Sequence, residues 1–255
     1  QKTAYEIYQC DWSSDVCSSD LESLKKEQAK NPEKVSVAPE RQFTGIDAFQ
    51  KVINSGVDVV LLTTSPGFRP QHIRAAVEAG KHVFAEKPMA VDGPGVRSVM
   101  ESIKLAKQKN LALVDGFVWR WTTANRDAFA KIHDGAVGDI KAIYTSYYTG
   151  AVDRYPKWNR TNTKTDLEWQ IRRWYYFTWL SGDHIVEQAI HSIDKMLWAM
   201  KDESPASVVC LGGRQARPGE PGGEYGNIYD HFAAEFRWES GVKGYHFCRQ
   251  IGRCY

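Results

Sequence analysis

The sequence has little of three things that would narrow its function at once: net charge, cysteine and long apolar runs. The 255-residue chain carries a formal net charge of +2, which argues against a nucleic-acid or membrane partner. Its five cysteines are odd in number and lack CxxC spacing, so they indicate neither a disulfide framework nor a zinc site. A reducing compartment is therefore the default. No apolar stretch approaches the roughly 20 residues that span a bilayer.

Residues 1–21 show no helical or strand period and no candidate core. The run Asp11–Leu21 and the upstream run Gln1–Glu6 resemble a translated DNA sequencing adapter. We therefore exclude this segment from fold prediction and expect it to contribute nothing to the fold. A genuine disordered tail is the alternative interpretation.

Strand and helix patterns alternate from residue 22 to residue 117. Apolar runs predict three buried parallel strands, at 57–63, 83–85 and 111–114. Helical periods surround them, at 22–30, 47–54, 70–79 and 95–109. A short strand candidate precedes them at 34–37. This alternation predicts a doubly wound α/β domain.

The pattern changes in residues 118–255. Helices are predicted at 123–133 and 181–200, with an irregular segment rich in tryptophan and arginine at 150–180. Four strands are predicted, at 140–148, 207–211, 231–238 and 242–249. A helix-poor region with alternating strands predicts a second, α+β domain whose sheet is mainly antiparallel.

The strand at 83–85 ends abruptly in Glu86, Lys87 and Pro88. In parallel sheets, ligands bind beyond the carboxyl ends of the strands. Lys87, with a proline stiffening the exit, is therefore a candidate for orienting or polarising a substrate oxygen. A solvated lysine at a strand end is the alternative.

The helix predicted at 181–200 would place Glu187, His191 and Asp194 on one face, at i, i+4 and i, i+3 spacing. Histidine is the usual general acid or base, and a carboxylate one turn away can fix its tautomer. A surface charge network is the alternative. No metal site is predicted, because neither an HExxH motif nor a convincing second histidine ligand accompanies these residues.

Seven of the nine tryptophans lie between residues 119 and 198, with arginines interleaved. Aromatic faces suit sugar rings, and guanidinium groups suit hydroxyls or carboxylates. Arg173 and Trp174 are thus candidates for contacting substrate. Binding of single-stranded nucleic acid would use the same residue types, but the low net charge counts against it. A packed aromatic core would account for about half of these residues.

Two motifs together resemble the Gfo/Idh/MocA oxidoreductases, a family that includes glucose–fructose oxidoreductase and inositol dehydrogenase. The first is Ala85–Pro88 preceded by His72–Val83, and the second is Glu187–Asp194. Asp134–Ile140 resembles the family's domain junction. The resemblance runs from about residue 22 to residue 249.

The resemblance implies an NAD- or NADP-binding Rossmann domain at 22–117 and a C-terminal α/β substrate domain at 118–255. It implies hydride transfer with a sugar, polyol or inositol, and a homo-oligomer formed through the C-terminal sheet. It gives catalytic roles to Lys87, His191 and, where aspartate is commoner, Glu187. Substrate contacts are implied for Lys87, Arg173, Trp174, His191 and Asp194. Cofactor contacts are implied for Thr64, Ser65, Pro66, His72, Glu86, Lys87, Pro88 and Arg120.

No GxGxxG loop occurs in the sequence, although a dinucleotide fold carries one after its first strand. We therefore expect the first βαβ unit to be missing before residue 22, and the last strand to be cut near Tyr255. The resemblance leaves two other functions open, an NAD-dependent glycosidase and a non-catalytic sugar- or nucleotide-binding relative. It also leaves open whether the protein is cytoplasmic or exported.

Overall fold

The structure is a computed structural model that describes residues 24–150, 158–217 and 225–252. Within these ranges the chain forms two compact units. The first contains residues 24–116, 158–175 and 179–181, and the second contains the remaining described residues. The predicted adapter-derived segment lies outside the described residues, and so do residues 218–224.

Ten helices and seven strands are labelled here in chain order. The helices are α1 (24–30), α2 (Ala48–Ile53), α3 (Arg69–Glu78), α4 (Gly93–Gln108), α5 (Val118–Trp121), α6 (Thr123–His133), α7 (Asp166–Arg172), α8 (Thr178–Ser181), α9 (Asp183–Glu187) and α10 (Ile190–Ala199). The strands are β1 (Val59–Leu62), β2 (His82–Ala85), β3 (Leu113–Asp115), β4 (Ala142–Thr149), β5 (Ser207–Gly213), β6 (His231–Arg237) and β7 (Lys243–Gln250).

A three-stranded parallel sheet in the order β1-β2-β3 organises the first unit. Every second residue of β1 and β2 is buried. The apolar face of α3, carried by Ile73, Ala76 and Val77, belongs to the same core as these strands. The predicted α/β fold with a parallel sheet is confirmed, and β1 and β2 end where the sequence placed candidate site residues.

Two local predictions in this unit were wrong. Residues 34–37 form no strand; instead the carbonyl of Val37 accepts hydrogen bonds from the side chains of Gln28 (3.3 Å) and Gln42 (3.1 Å). The strand predicted at 111–114 was expected to be buried, but β3 lies at the edge of the described sheet and its Val114 is 36% exposed.

The second unit contains a four-stranded sheet in the order β4-β7-β6-β5. Strands β5, β6 and β7 pair antiparallel, and β4 pairs parallel with β7. The predicted, mainly antiparallel sheet is confirmed. One face of this sheet packs against α10, where Met196 joins Phe236, Trp238 and Val242 in a buried cluster.

The single helix predicted at 181–200 is in fact broken twice. Gly182 has a φ of +74°, a left-handed conformation that separates α8 from α9. A turn at residues 188–189 then separates α9 from α10. The segment at 150–180 is also less irregular than predicted, because it contains α7 and most of α8. Glu187 and His191 therefore do not share one helix face.

None of the helices in the described ranges has the length and apolar character needed to cross a membrane.

Candidate functional site

Glu86, Lys87 and Pro88 form the exit of β2. The last sheet bond on this side runs from the Glu86 N–H to the Leu62 carbonyl, at 2.9 Å. The carboxyl group of Glu86 lies over Gly116, where a Cβ atom would come within 2.7 Å of Oε2. Glycine at this position thus leaves room for the Glu86 side chain beside the end of β3. Lys87 follows directly, and its peptide bond to Pro88 is cis.

Thr64, Ser65 and Pro66 form the neighbouring exit, after β1. Thr64 and Ser65 are both buried. The Thr64 hydroxyl lies 3.2 Å from Nδ1 of His72. The Ser65 hydroxyl has no hydrogen-bond partner among the residues that the structure describes. A buried polar atom without a protein partner is the kind of group that a ligand can satisfy.

His72 of α3 is buried and stacks on Phe49, with 4.3 Å between the ring centroids. Burial lowers the pKa of His72 to about 4, because the charged ring would lose its hydration, and the positive charge of Arg69 lowers it further. At neutral pH His72 is therefore an uncharged ring that contacts the Thr64 hydroxyl. It can orient the β1 exit without adding positive charge.

Arg69 is a site residue that the sequence analysis missed. Its side chain is buried, with Nη1 donating to the Pro88 carbonyl and Nη2 to the Thr64 carbonyl. One signal could have revealed it. Arg69 occupies the first turn of α3, where the positive end of the helix dipole disfavours a cation. A cation placed there needs other partners to stabilise it.

In the second unit, His191 is surrounded by aromatic rings. Its ring centroid lies 5.0 Å from that of Trp119 and 6.1 Å from that of Phe117. Lys195, one turn further along α10, holds its ammonium group 3.8 Å from the centroid of the Trp119 ring. Glu187, on α9, is buried. His191 is thus placed by packing of α5 against α10.

Arg120 and Asp194 are joined directly. Nε of Arg120 lies 2.9 Å from each oxygen of Asp194, and Nη2 lies 2.6 Å from Oδ1 of Asp202. Hydrogen bonding to Arg120 lowers the pKa of Asp202. Burial alone would lower the pKa of Arg120, but the two carboxylates raise it. These two predicted site residues therefore belong to one charge cluster.

Arg173 and Trp174 follow α7, in the first unit. Arg173 is buried, and its Nη1 donates to the Trp158 carbonyl at 3.0 Å. Trp174 packs edge-on against Tyr175, with 5.8 Å between centroids. The tryptophans as a group divide between core and surface, since Trp169 is buried whereas Trp121 is 62% exposed.

The predicted site residues thus fall into two sets. The first unit brings together Thr64 and His72, and it also holds Lys87. The second unit brings together Arg120 and Asp194, and it also holds His191. Among the described residues, no group of three or more histidine, cysteine or carboxylate side chains is arranged to hold a metal ion.

Comparison with known proteins assigns the first unit. Residues 13–117 match the family model described as "Oxidoreductase family, NAD-binding Rossmann fold". Residues 13–117 belong to the Gfo/Idh/MocA family. The match includes residues 13–21, which the sequence analysis attributed to an adapter. The Gfo/Idh/MocA assignment confirms the resemblance predicted from the motifs.

Curated proteins similar to this chain include inositol 2-dehydrogenases. That of Gluconacetobacter diazotrophicus is 28% identical over 54% of this chain and 40% of its own length. Inositol 2-dehydrogenase 3 of Saccharopolyspora erythraea is 27% identical over 74% of this chain and 47% of its own length. The chain therefore spans less than half the length of these relatives.

Solved structures agree on the fold. The WlbA dehydrogenase from Bordetella pertussis, solved with NADH and UDP-GlcNAcA, superposes with a TM-score of 0.66 at 16% identity. The superposition covers 98% of this chain and 73% of that one. At this identity the likeness concerns the fold alone, and it supports the Rossmann-type assignment.

Proposed function

We propose that this chain carries catalytic residues of an NAD(P)-dependent oxidoreductase that acts on a secondary hydroxyl of a sugar, polyol or inositol. One observation carries the proposal. Lys87 lies at the carboxyl end of β2, in the parallel sheet of a domain that belongs to an NAD-binding family. This is the edge at which open α/β sheets bind ligands. The names of the inositol 2-dehydrogenase relatives support the substrate class.

The residues at the strand exits fit the nicotinamide half of such a cofactor. The buried Ser65 hydroxyl can engage a carboxamide or a ribose hydroxyl. Other contacts are proposed for Thr64, Pro66, His72, Glu86, Pro88 and Arg120. The sequence contains no glycine loop to hold the phosphates. A bound nicotinamide would supply the acceptor for the hydride that leaves the alcohol carbon.

Side chains of this protein would accept the proton and stabilise the charges that form. His191 takes the hydroxyl proton as general base. Lys87 donates a hydrogen bond to a substrate oxygen on which negative charge develops. Glu187 stabilises the imidazolium that forms. Substrate hydroxyls are proposed to contact Arg173 and Trp174, whereas Asp194 would act through Arg120.

A turnover assay tests this function. The purified chain, and a version with a glycine-loop βαβ unit placed before residue 22, are incubated with NAD⁺ or NADP⁺ and a panel of polyols and sugars. We expect the extended version to produce reduced nicotinamide with at least one polyol. Release of an aglycone from a glycoside added to the panel, without net reduction, would indicate a glycosidase instead. Cofactor binding without either reaction would indicate a non-catalytic relative.

We also propose that the exposed face of the second unit's sheet pairs with a second copy of the chain. The outer rows of β4, β7 and β5 carry Tyr144, Phe247, Val209 and Leu211, and Leu211 is 76% exposed. Acidic and basic residues also occur on this face, including Glu235 and Lys243. Such a mixture can complement itself across a two-fold axis.

Sedimentation equilibrium tests the pairing. Leu211→Lys together with Val209→Lys should convert a dimer to a monomer, because each buries a charge against the partner sheet. Val137→Lys is the matched control, since Val137 is also exposed (60%) but lies outside the sheet. A monomeric wild-type chain, or a dimer that survives both substitutions, would contradict the proposal.

A further inference from the structure

We propose that Arg69 is a positioning residue for Lys87. Its buried guanidinium ties the carbonyl of Pro88 to the carbonyl of Thr64, and this fixes the direction in which Lys87 leaves the sheet. The inference rests on the proposed function in one respect only, because that function makes Lys87 a residue that contacts the substrate.

The backbone around Lys87 is held on both sides. On the upstream side, the Glu86 N–H donates to the Leu62 carbonyl at 2.9 Å, which is the last bond between β1 and β2. On the downstream side, Arg69 Nη1 donates to the Pro88 carbonyl. Lys87 therefore lies between two fixed points that are one residue away in each direction. Its Cα thus has little freedom.

The second hydrogen bond of Arg69 connects Pro88 to the exit of β1. Nη2 donates to the carbonyl of Thr64, at the neighbouring exit. His72, one turn further along α3, contacts the hydroxyl of the same Thr64 at 3.2 Å. Residues of helix α3 thus contact both the carbonyl and the hydroxyl of Thr64. Arg69 also donates to the Pro88 carbonyl, so hydrogen bonds connect the exits of β1 and β2 to the helix.

Arginine is chemically suited to this role. A guanidinium presents several N–H donors in a rigid plane, so one side chain can hold two carbonyls at a set separation. A lysine ammonium is a compact charge on a flexible stem and fixes no such separation. The position is electrostatically poor for a cation with respect to the helix dipole. Its two carbonyl partners offset that cost.

Chemical labelling of Lys87 tests the inference without any need for turnover. The 255-residue chain is treated with limiting trinitrobenzenesulfonate, and labelling of each lysine is followed by peptide mass spectrometry. Exposed Lys104 on α4 serves as the internal reference. Arg69→Met keeps an apolar side chain of similar length and removes the guanidinium group. Arg74→Met, at a partly exposed position on the same helix, is the matched control.

We expect Arg69→Met to change the Lys87 labelling rate relative to Lys104 by at least roughly threefold. Losing a charge-assisted hydrogen bond commonly shifts a local equilibrium by about tenfold or more, so the threshold is conservative. Arg74→Met should leave the ratio unchanged. A folded Arg69→Met chain with the wild-type ratio would overturn the inference.

Arg69→Lys is the second variant, for the case in which Arg69→Met fails to fold. It keeps the charge and most of the packing but not the planar fork. We expect a folded Arg69→Lys chain with an altered Lys87 ratio. A wild-type ratio would overturn the inference, and so would failure to fold, because Arg69 would then serve the stability of the whole unit. An altered ratio, together with no nicotinamide turnover by the version extended with a glycine-loop unit, would remove the proposed function and keep the positioning role.

Discussion

Nε of Arg120 lies 2.9 Å from both carboxylate oxygens of Asp194. The pair joins α5 to α10, the two helices that carry Trp119 and His191. Asp194 is mostly buried, with 10% of its side chain exposed, and Arg120 is about a quarter exposed at 26%. The carboxylate predicted to bind substrate thus has a structural partner that holds α10 beside α5.

Replacing Asp194 by asparagine should therefore destabilise the second unit. The change removes the negative charge that pairs with Arg120 and turns one of the two oxygens that accept from its Nε into a donor NH2 group. We expect a loss of about 1–3 kcal/mol in the free energy of unfolding, measured by urea denaturation. Asp202→Asn is the matched control. Asp202 is 58% exposed, so its loss should be well under that of Asp194. Equal effects of the two changes would contradict this.

Stability should fall as the pH drops from about 6.5 to about 4. Burial lowers the pKa of His72 to about 4, and burial together with the nearby His184 lowers that of His246 to about 4. In this window the unfolded chain binds protons that the folded chain does not, so acid favours unfolding. Each histidine could contribute up to roughly 3 kcal/mol. His72→Phe or His246→Leu should each flatten the pH dependence of the unfolding free energy. An unchanged slope in both would disprove the assignment.

Lys87→Met and His191→Ala should each slow hydride transfer by roughly 10²–10⁴-fold in the version extended with a glycine-loop unit, which is the usual range for acid–base groups. Cofactor affinity should change little, because neither side chain is proposed to hold the phosphates. Single-turnover kinetics with a polyol substrate measure both quantities. A near-normal kcat for His191→Ala would show that another group accepts the proton.

The chain as given should bind NAD and NADP weakly. Backbone N–H groups of a glycine loop at a helix N-terminus normally hold the pyrophosphate, and no such loop occurs in the sequence. We expect a Kd above about 1 mM, which corresponds to less than roughly 4 kcal/mol of binding free energy. Calorimetric titration beside the extended version checks this. Micromolar binding by the chain as given would mean that other residues hold the phosphates.

The sequence predicted the parts of the fold that follow from apolar periodicity. Strand β2 and helix α6 were predicted to within one residue, because both have sharp ends marked by charged or polar residues. The strand prediction for residues 34–37 failed because this short stretch has no neighbouring strand, and its Val37 carbonyl accepts hydrogen bonds from side chains instead. The prediction of one helix at 181–200 failed because apolar periodicity does not reveal that Gly182 adopts a left-handed conformation.

The candidate site was predictable only where a motif carried it. Lys87 and His191 were predicted from their motifs, and their roles stay predictions. Arg69 was not, because its partners are backbone carbonyls whose positions depend on the folded exits of β1 and β2. The pairing of Arg120 with Asp194 was also missed, since it joins residues 74 positions apart. Such contacts need the tertiary structure, which local patterns do not contain.

The place of β7 in the second sheet has a consequence for synthesis of the chain. The strand β4 pairs with β7, and Thr145 reaches across to His246, 101 positions later. During synthesis on a ribosome, β4 leaves the exit tunnel long before β7 has been made, so β4 has no strand to pair with during that time. Pairing of β4 with β7 therefore waits until β7 has also left the tunnel. During that interval β4 is an open edge that chaperones, or a neighbouring nascent chain, can reach first.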